Sequence, residues 1–196
     1  MAATGTRVEE NKKGPRAKVA ETGYGECAVP TELRWLKSYP EDVSWDLSYT
    51  PEAIPALLDA AVAEFPDNPA IDFFGHKLTY RELDDLVSRA AAGLQKLGVG
   101  PGVHVGLYLP NCPHYFIGFL GVLRAGGTVV NYSPLDAERT LEHKIEDSQT
   151  DIMLTLDLEA FYPRMVTLMA RTRLRQLVVG NLVEFCGAVS DEQRTL

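Results

Sequence analysis

The chain has 196 residues, of which 45% are hydrophobic and 23% are charged, a composition typical of a soluble globular domain. That length accommodates one well-buried domain with a tail, but not two full-sized domains. Its 27 acidic and 19 basic residues give a net charge of −8. This balance argues against a nucleic-acid partner, because phosphate binding needs clustered cations.

Cysteine usage and hydropathy bear on the compartment. Cys27, Cys112 and Cys186 are odd in number and far apart, with neither zinc-type spacing nor a disulfide framework, so we predict a reducing cytoplasm. The apolar run 115–123 is much shorter than the roughly 20 residues of a membrane-spanning helix. The N-terminus lacks the apolar core of a secretory signal. No transmembrane segment is therefore expected, and peripheral membrane association stays open.

Composition divides the chain into four regions. Residues 1–30 are rich in Gly, Pro and charged residues and predict a flexible, disordered tail. Residues 31–49 are rich in aromatic residues and predict an irregular strap over the domain surface, with an aromatic partner-binding site as the alternative. Residues 50–185 carry regular periodicity and predict the folded domain, and residues 186–196 predict an irregular C-terminus.

The ordered part is predicted to open with a helix and a hairpin. Thr50 followed by Pro51 is typical of an N-cap and first helical turn, and apolar residues at helical spacing continue over 52–65. Two short segments, 70–74 and 77–79, flank a Gly-His turn and predict a hairpin.

A second helix follows at once. Thr79 and Glu82 have the spacing of a capping box, in which each side chain bonds a free backbone amide at the start of a helix. One apolar stripe then continues for about four turns. Gly98 supplies the left-handed residue that ends such helices.

From residue 103 onward strands and helices alternate. Strands are predicted at 103–109, 128–131, 152–156 and 176–179, and helices at 113–124, 137–147 and 158–170. The continuously apolar strands favour an α/β fold: a doubly wound, mainly parallel open sheet with helices on both faces. Pro163 conflicts with the last helix, which must be kinked there or begin only near Pro163.

Two strand-end loops carry the candidate site. Ligands of open α/β sheets collect outside the carboxyl ends of the strands, where the sequence places Asn111, Asn131, Tyr132 and Ser133 as ligand contacts. The alternative for NYSPLD is a plain strand-to-helix turn, capped by Ser133 or Asp136.

Other motifs carry no chemistry. GVGPG (98–102) follows a helix and precedes a strand, the reverse of a dinucleotide fingerprint. Cys112 and His114 lack an orienting carboxylate and do not share a helix face. The acidic cluster at 142–151 lacks calcium-loop spacing, and no phosphate-loop motif occurs. The sequence thus predicts no catalytic, cofactor-binding or metal-binding residue in this chain.

Longer segments are more specific than any single motif. KLTYRELDDLVSRAAAGL, GVGPGVHVGLYLPNCPHYFIGFLGVLRAGGTVVNYSPL and LEHKIEDSQTDIMLTLDLEAFYPRM resemble, in unbroken order, the first subdomain of AMP-forming acyl-CoA ligases. The similarity is greatest to the long-chain fatty acid ligases and spans about residues 33–185. It implies a family reaction in which a carboxylic acid and ATP give an acyl-adenylate and pyrophosphate, and CoA then displaces AMP.

The resemblance also implies what this chain lacks. The family's phosphate loop, nucleotide-binding motifs, acyl pocket and catalytic lysine lie downstream of the matching segments, so no catalytic residue can be carried over. ATP, CoA and magnesium are implied for the full-length family only. We therefore expect a truncated ligase chain that is inactive alone, although whether it is an enzyme stays open.

Partners follow from the same resemblance. A fatty acid or another carboxylic acid is the implied small molecule, and a dimer or the missing C-terminal part of the ligase is the implied protein partner. Two alternatives stay open. One is a non-catalytic interaction module that pairs with a ligase subunit and exposes an apolar patch near the C-terminal edge. The other is a small-molecule binder with a pocket of its own.

Overall fold

The computed structural model describes residues 34–40, 42–43 and 49–187, and the chain divides after Tyr49 into two compact units. In the first unit a 3-10 helix spans Arg34–Ser38, and the side chain of Trp35 is exposed. The predicted tail at 1–30 and the end of the predicted C-terminal region, 188–196, lie outside the described residues. The strap over 31–49 stays a prediction.

The second unit opens with helix α1, Ile54–Glu64. Its N-cap is Ala53, and the proline of its first turn is Pro55. The predicted start at Thr50 and Pro51 was therefore wrong. Both prolines satisfy the same first-turn preference, because each lacks the N–H that a helix start leaves unpaired, and local pattern alone does not choose between them.

The hairpin and the second helix are confirmed. Strands β1, Pro69–Phe73, and β2, His76–Thr79, pair antiparallel. Helix α2, Tyr80–Lys96, begins with the capping box: the N–H of Thr79 donates to Oε2 of Glu82 at 2.8 Å, and Oγ1 of Thr79 accepts from the N–H of Glu82 at 3.3 Å. The carboxylate of Glu82 accepts from the backbone N–H and from the hydroxyl of Thr79, and these two bonds lower the pKa of Glu82.

The remaining elements build one parallel sheet. Its strands are β3 (His104–Tyr108), β4 (Thr128–Tyr132), β5 (Thr150–Leu156) and β6 (Gln176–Gly180), and they lie in the order β4-β3-β5-β6. All three strand pairs are parallel. The connecting helices are α3 (Pro113–Arg124), α4 (Glu138–Asp147) and α5 (Tyr162–Met169), and a 3-10 helix, Leu182–Phe185, follows β6.

Each face of the sheet has its own core. Alternate strand residues point to opposite faces, so Leu154 packs with α2 and α3 whereas Met153 packs with α4 and α5. The first core includes Ala91, Leu94, Val105, Leu107, Val122, Ile152 and Leu156. The second includes Tyr108, Tyr132, Leu141, Ile145, Met165 and Leu168. The predicted doubly wound fold is thus confirmed.

The conflict at Pro163 is resolved by a shorter helix. Helix α5 begins at Tyr162, so Pro163 lies in its first turn. There its missing N–H has no intrahelical acceptor to lose, and the helix needs no kink.

Candidate ligand-binding edge

The two candidate loops lie together at the carboxyl edge of the sheet. Strands β3 and β4 are parallel neighbours in which Tyr108 pairs with Tyr132, so the chain leaves both strands at the same edge. Asn111 follows β3, and its side chain is exposed. Ser133 follows β4 and is partly buried. The topology therefore brings Asn111 and Ser133 to one side of the sheet, as the sequence predicted.

Asn131 connects this edge to helix α3. Its side chain is exposed, and its Oδ1 accepts a hydrogen bond from the hydroxyl of Tyr115 at 3.2 Å. Tyr115 lies in the first turn of α3. The amide group of Asn131 thus remains accessible while its position is set from the neighbouring helix.

Tyr132 occupies a different place from the one expected of a ligand contact. The residue is 3% exposed, and its hydroxyl lies 2.8 Å from Oγ of Ser148 and 2.8 Å from Oγ1 of Thr150. Thr150 is the first residue of β5, so the phenol lies toward the amino edge of the sheet. Successive side chains of a strand point to opposite faces of the sheet. Because Asn131 faces the side of the first core, Tyr132 points into the second core.

The loop after β4 is held by Arg164, a residue that no sequence motif selects. Nη1 of Arg164 donates to the hydroxyl of Tyr108 at 2.9 Å and to the carbonyl of Pro134 at 3.3 Å, and Nη2 donates to the carbonyl of Asp136 at 2.5 Å. An arginine on α5 thereby fixes the backbone between β4 and α4. Oγ of Ser133 accepts from the N–H of Leu135 at 3.2 Å, which tightens the same turn.

Asp136 does not cap helix α4. The N-cap of α4 is Ala137, which makes no side-chain cap bond, and Asp136 instead binds Nζ of Lys144 at 2.5 Å. This hydrogen bond, supported by the charges of Lys144 and Arg164, lowers the pKa of Asp136.

The Cys112 and His114 pair gives no nucleophile. Burial raises the pKa of the Cys112 thiol, which disfavours the reactive thiolate. Burial lowers the pKa of His114, and neither of its ring nitrogens has a hydrogen-bond partner in the described part of the chain. The imidazole packs instead against the ring of Phe185, with centroids 4.8 Å apart.

The side chains that we predicted as contacts and that stay at least partly accessible, Asn111, Asn131 and Ser133, are neutral amide and hydroxyl groups. The charged groups of Arg164 and Asp136 are engaged within the protein. Within residues 34–40, 42–43 and 49–187, no three His, Cys, Asp or Glu side chains converge to hold a metal ion. A triphosphate with magnesium needs cations and carboxylate ligands, and this donor set does not fit that group. No helix in the described ranges is long and apolar enough to span a membrane.

The family is established by a direct match. The model of the AMP-binding enzyme family matches residues 58–192. This range contains the four-stranded sheet, helices α2 to α5, and all of α1 except its first turn. The chain therefore belongs to the AMP-binding enzyme family, whose members are ATP-dependent and adenylate-forming.

Curated relatives narrow the resemblance. The chain is 34% identical over 157 residues to a long-chain-fatty-acid–CoA ligase of Bacillus subtilis. The matched segment covers 80% of this chain and 28% of that ligase. It is 39% identical over 118 residues to the ligase of the same name from Escherichia coli O6:H1, with coverage of 58% and 21%. The predicted resemblance to the N-terminal part of these ligases is confirmed, and the chain spans about a quarter of their length.

Solved structures share the fold. A long-chain-fatty-acid–CoA ligase, FadD1 from Archaeoglobus fulgidus, matches with a TM-score of 0.62 at 22% identity, over 71% of this chain and 30% of that one. MbtA from Mycobacterium smegmatis matches with a TM-score of 0.60 at 30% identity, over 71% and 26%. Both likenesses cover only part of the solved chains.

Proposed function

We propose that this chain is the N-terminal part of an AMP-forming long-chain fatty acid–CoA ligase. The complete enzyme would convert a carboxylic acid and ATP, with magnesium, into an acyl-adenylate and pyrophosphate, after which CoA releases AMP. The observation that carries this proposal is the 34% identity over 157 residues to the Bacillus subtilis ligase. It covers most of the folded unit and is more specific than the shared fold.

This part of the ligase would contribute one wall of the ligand site. Asn111, Asn131 and Ser133 are the polar groups that we propose to contact ligand, because they lie at the carboxyl edge of neighbouring parallel strands. Tyr115 and Arg164 act as positioning residues, since their hydrogen bonds hold Asn131 and the loop after β4.

We further propose that the chain does not catalyse adenylation by itself. The transition state of adenylation develops negative charge around phosphorus, which positively charged and N–H groups must stabilise. Among the described residues at the carboxyl edge, the guanidinium group is that of Arg164. It donates hydrogen bonds to one hydroxyl and two backbone carbonyls. That cation is therefore already engaged by the protein.

Measurement of pyrophosphate release tests whether the chain alone is inactive. The purified 196-residue chain is incubated with ATP, magnesium, CoA and a long-chain fatty acid, beside the full-length Bacillus subtilis ligase as positive control. We expect release indistinguishable from a reaction without protein. Turnover that depends on both fatty acid and chain would overturn the proposed inactivity, and the family assignment would stand.

A second candidate is a non-catalytic module that pairs with a ligase subunit. Leu97 and Val179 line one cleft and are exposed by 43% and 42%, an apolar surface of the kind that pairing requires. Co-elution of the chain with a full-length ligase, lost on Val179→Asp, would favour this role. Independent elution of both proteins would exclude that partner.

The cytoplasm remains the proposed compartment. Cys112 and Cys186 are both free thiols, which fits a reducing environment. Cys112 is buried, so the test is alkylation in denaturant of protein taken directly from cells, without added reductant. Alkylation of both thiols would support this placement, and a disulfide at either cysteine would contradict it.

A further inference from the structure

Phe185 lies between two histidines that belong to different elements. It is the buried residue of the 3-10 helix Leu182–Phe185. Its ring centroid lies 4.8 Å from that of His114, in the first turn of α3, and 6.4 Å from that of His76, on β2. One phenylalanine between two imidazole rings thus attaches the segment after β6, residues 181–187, to helix α3 and to the hairpin.

Two glycines bring the same segment close to its neighbours. A Cβ atom at Gly180 would lie 2.5 Å from Cδ2 of His114, so the imidazole packs directly on the backbone at the end of β6. A Cβ atom at Gly187 would overlap the carbonyl oxygen of Phe74 in the hairpin turn. Both ends of segment 181–187 therefore pack without an intervening side chain, and any movement of the His114 ring acts on the segment directly.

The arrangement favours a neutral imidazole at His114. Both ring nitrogens are buried and have no hydrogen-bond partner within the described part of the chain. The neutral ring carries one N–H donor and the imidazolium carries two, and a buried donor without an acceptor costs free energy. His114 is also the second residue of α3, where the positive end of the helix dipole disfavours a cation.

Two carboxylates near His114 act in the opposite sense. Burial lowers the pKa of His114, whereas the charges of Glu184 and Asp157 oppose that shift without overcoming it. The side chain of Glu184 is exposed, and Oδ1 of Asp157 accepts a hydrogen bond from the N–H of Leu182 at 3.4 Å. Other groups that can change charge nearby are Lys96, which lines the same cleft as His114, His76 across the Phe185 ring, and the Cys112 thiol, whose pKa burial raises.

We propose that protonation of His114 releases segment 181–187 from the rest of the domain, so that the segment is a pH-sensitive element of the fold. The imidazolium takes its proton from solvent and exchanges its packing on Phe185 for hydrogen bonds to water and to the nearby carboxylates. Phe185 then becomes exposed, while the sheet and helices α2 to α5 stay folded. An ordinary histidine titrates close to neutral pH, which places such a release in mild acid.

Hydrogen exchange followed by NMR tests the release on the full 196-residue chain. The reporters are the amides of Glu184 and Cys186, which donate to the carbonyls of Asn181 and Val183 at 3.1 Å each. After correction for intrinsic rates, we expect their protection to fall roughly threefold or more between about pH 7.5 and pH 5, and by at most tenfold per pH unit, the limit for one coupled proton.

Dilute urea separates local release from unfolding of the whole domain. Release of seven residues exposes little surface, so exchange of the reporter amides should be almost insensitive to urea. The amides of β5, at 152–156, lie in the middle of the sheet and should exchange through an opening that urea promotes. Equal urea dependence at both places would show that acid unfolds the entire domain and would overturn the proposal.

Three variants identify the titrating group. His114→Gln cannot titrate in this range, so its reporter amides should lose their pH dependence. His76→Gln is the matched control, since it replaces the other imidazole beside Phe185, and it should keep the response of the parent. Glu184→Gln removes a charge that favours the imidazolium and should move the response to lower pH. Circular dichroism checks that each variant is folded.

The outcomes decide between the two imidazoles. The same pH dependence in His114→Gln and the parent would overturn the proposal, as would its loss in His76→Gln alone. If His114→Gln does not fold, Glu184→Gln decides the matter, because an unchanged pH response in that variant would also overturn it. A chain without ligase activity whose segment 181–187 opens in a His114-dependent manner would uphold this inference, whatever becomes of the proposed function.

Discussion

The ring of Tyr132 lies directly over Gly106, where a Cβ atom would be only 2.8 Å from Cε2 of the tyrosine. Gly106 is the middle residue of β3, and Tyr132 is the last residue of the adjacent strand β4. The bare backbone at Gly106 lets the phenol cross the sheet and reach Ser148 and Thr150. Tyr132 ends its strand at the carboxyl edge of the sheet, and yet its side chain is part of the core.

Replacing Gly106 should therefore destabilise the fold. The Cβ atom of Gly106→Ala would overlap Tyr132 and, closer still, Sδ of Met153. We expect a loss of about 1–3 kcal/mol in the free energy of unfolding, as overpacking of a core costs, measured by urea denaturation. Gly93→Ala is the control and should raise stability by up to about 1 kcal/mol. Equal stabilities for Gly106→Ala and the parent would contradict the close approach.

The roles of Tyr132 and Asn131 can be separated by single substitutions. Tyr132→Phe removes the hydroxyl that bonds Ser148 and Thr150 and should lower the free energy of unfolding by about 1–2 kcal/mol. Asn131→Ala changes an exposed side chain and should change stability by less than about 0.5 kcal/mol. Chemical denaturation measures both. The assignment of Tyr132 to the core fails if its variant is as stable as the parent.

Arg124 is expected to stabilise the packing of the first three helices. Its Nη2 binds Oδ1 of Asp59 on α1 at 2.6 Å, and its Nη1 binds Oδ1 of Asp84 on α2 at 2.7 Å. Its side chain is 22% exposed, but that of Asp59 is 64% exposed, so solvent screens part of the attraction. We expect Arg124→Ala to cost about 1–2 kcal/mol in thermal or urea unfolding.

Arg89 offers a matched control for Arg124. It pairs with Asp85 at 3.7 Å, and both side chains are more than two-thirds exposed. Arg89→Ala should change stability by less than about 0.5 kcal/mol. Arg124→Lys should recover only part of the loss, since lysine cannot bind two carboxylates with one planar group. Full recovery by lysine would show that charge alone is sufficient.

Stability should fall in mild acid because of His114. Burial lowers its pKa below the ordinary value of 6.5, so as pH falls the unfolded chain binds a proton before the folded chain does. Stability is therefore fully present above about pH 6.5, is lost as pH falls toward the lowered pKa, and levels off below it. Glu184 and Asp157 oppose the shift, because their charges favour the imidazolium.

The matched variant is His114→Gln, which cannot titrate in this range. Urea midpoints measured between about pH 5 and pH 7.5 should fall with acid in the parent and fall less in the variant. The lowered pKa of Asp136 affects stability at lower pH, around its ordinary value of 3.8 and below. A parent and variant with the same slope would show that His114 is not the titrating group.

Local signals in the sequence predict elements well and their exact limits less well. The capping box at Thr79 and Glu82 is recognisable because its partners are three residues apart and depend on no other part of the chain. The start of α1 was misplaced because Pro51 and Pro55 satisfy the same local rule. The start of α5 had two solutions in the sequence, and the fold selects the one with Pro163 in the first turn.

The candidate site depended more on contacts distant in sequence. Parallel βα alternation was sufficient to bring Asn111, Asn131 and Ser133 to one edge. It could not show that Tyr132 turns away, since this requires a glycine 26 residues earlier on a neighbouring strand. Nor could it select Arg164, whose three acceptors lie on β3 and in the loop after β4.

The amino-acid sequence by itself determined the α/β class, the strand and helix order and the ligase family, because periodicity, capping and colinear motifs are written in neighbouring residues. Only the tertiary structure decided which edge residues remain accessible, which arginine holds the loop, and where a cleft stays open. Those properties arise from side chains that meet across strands and helices, and their distances are fixed only when the sheet and both of its helical layers are packed.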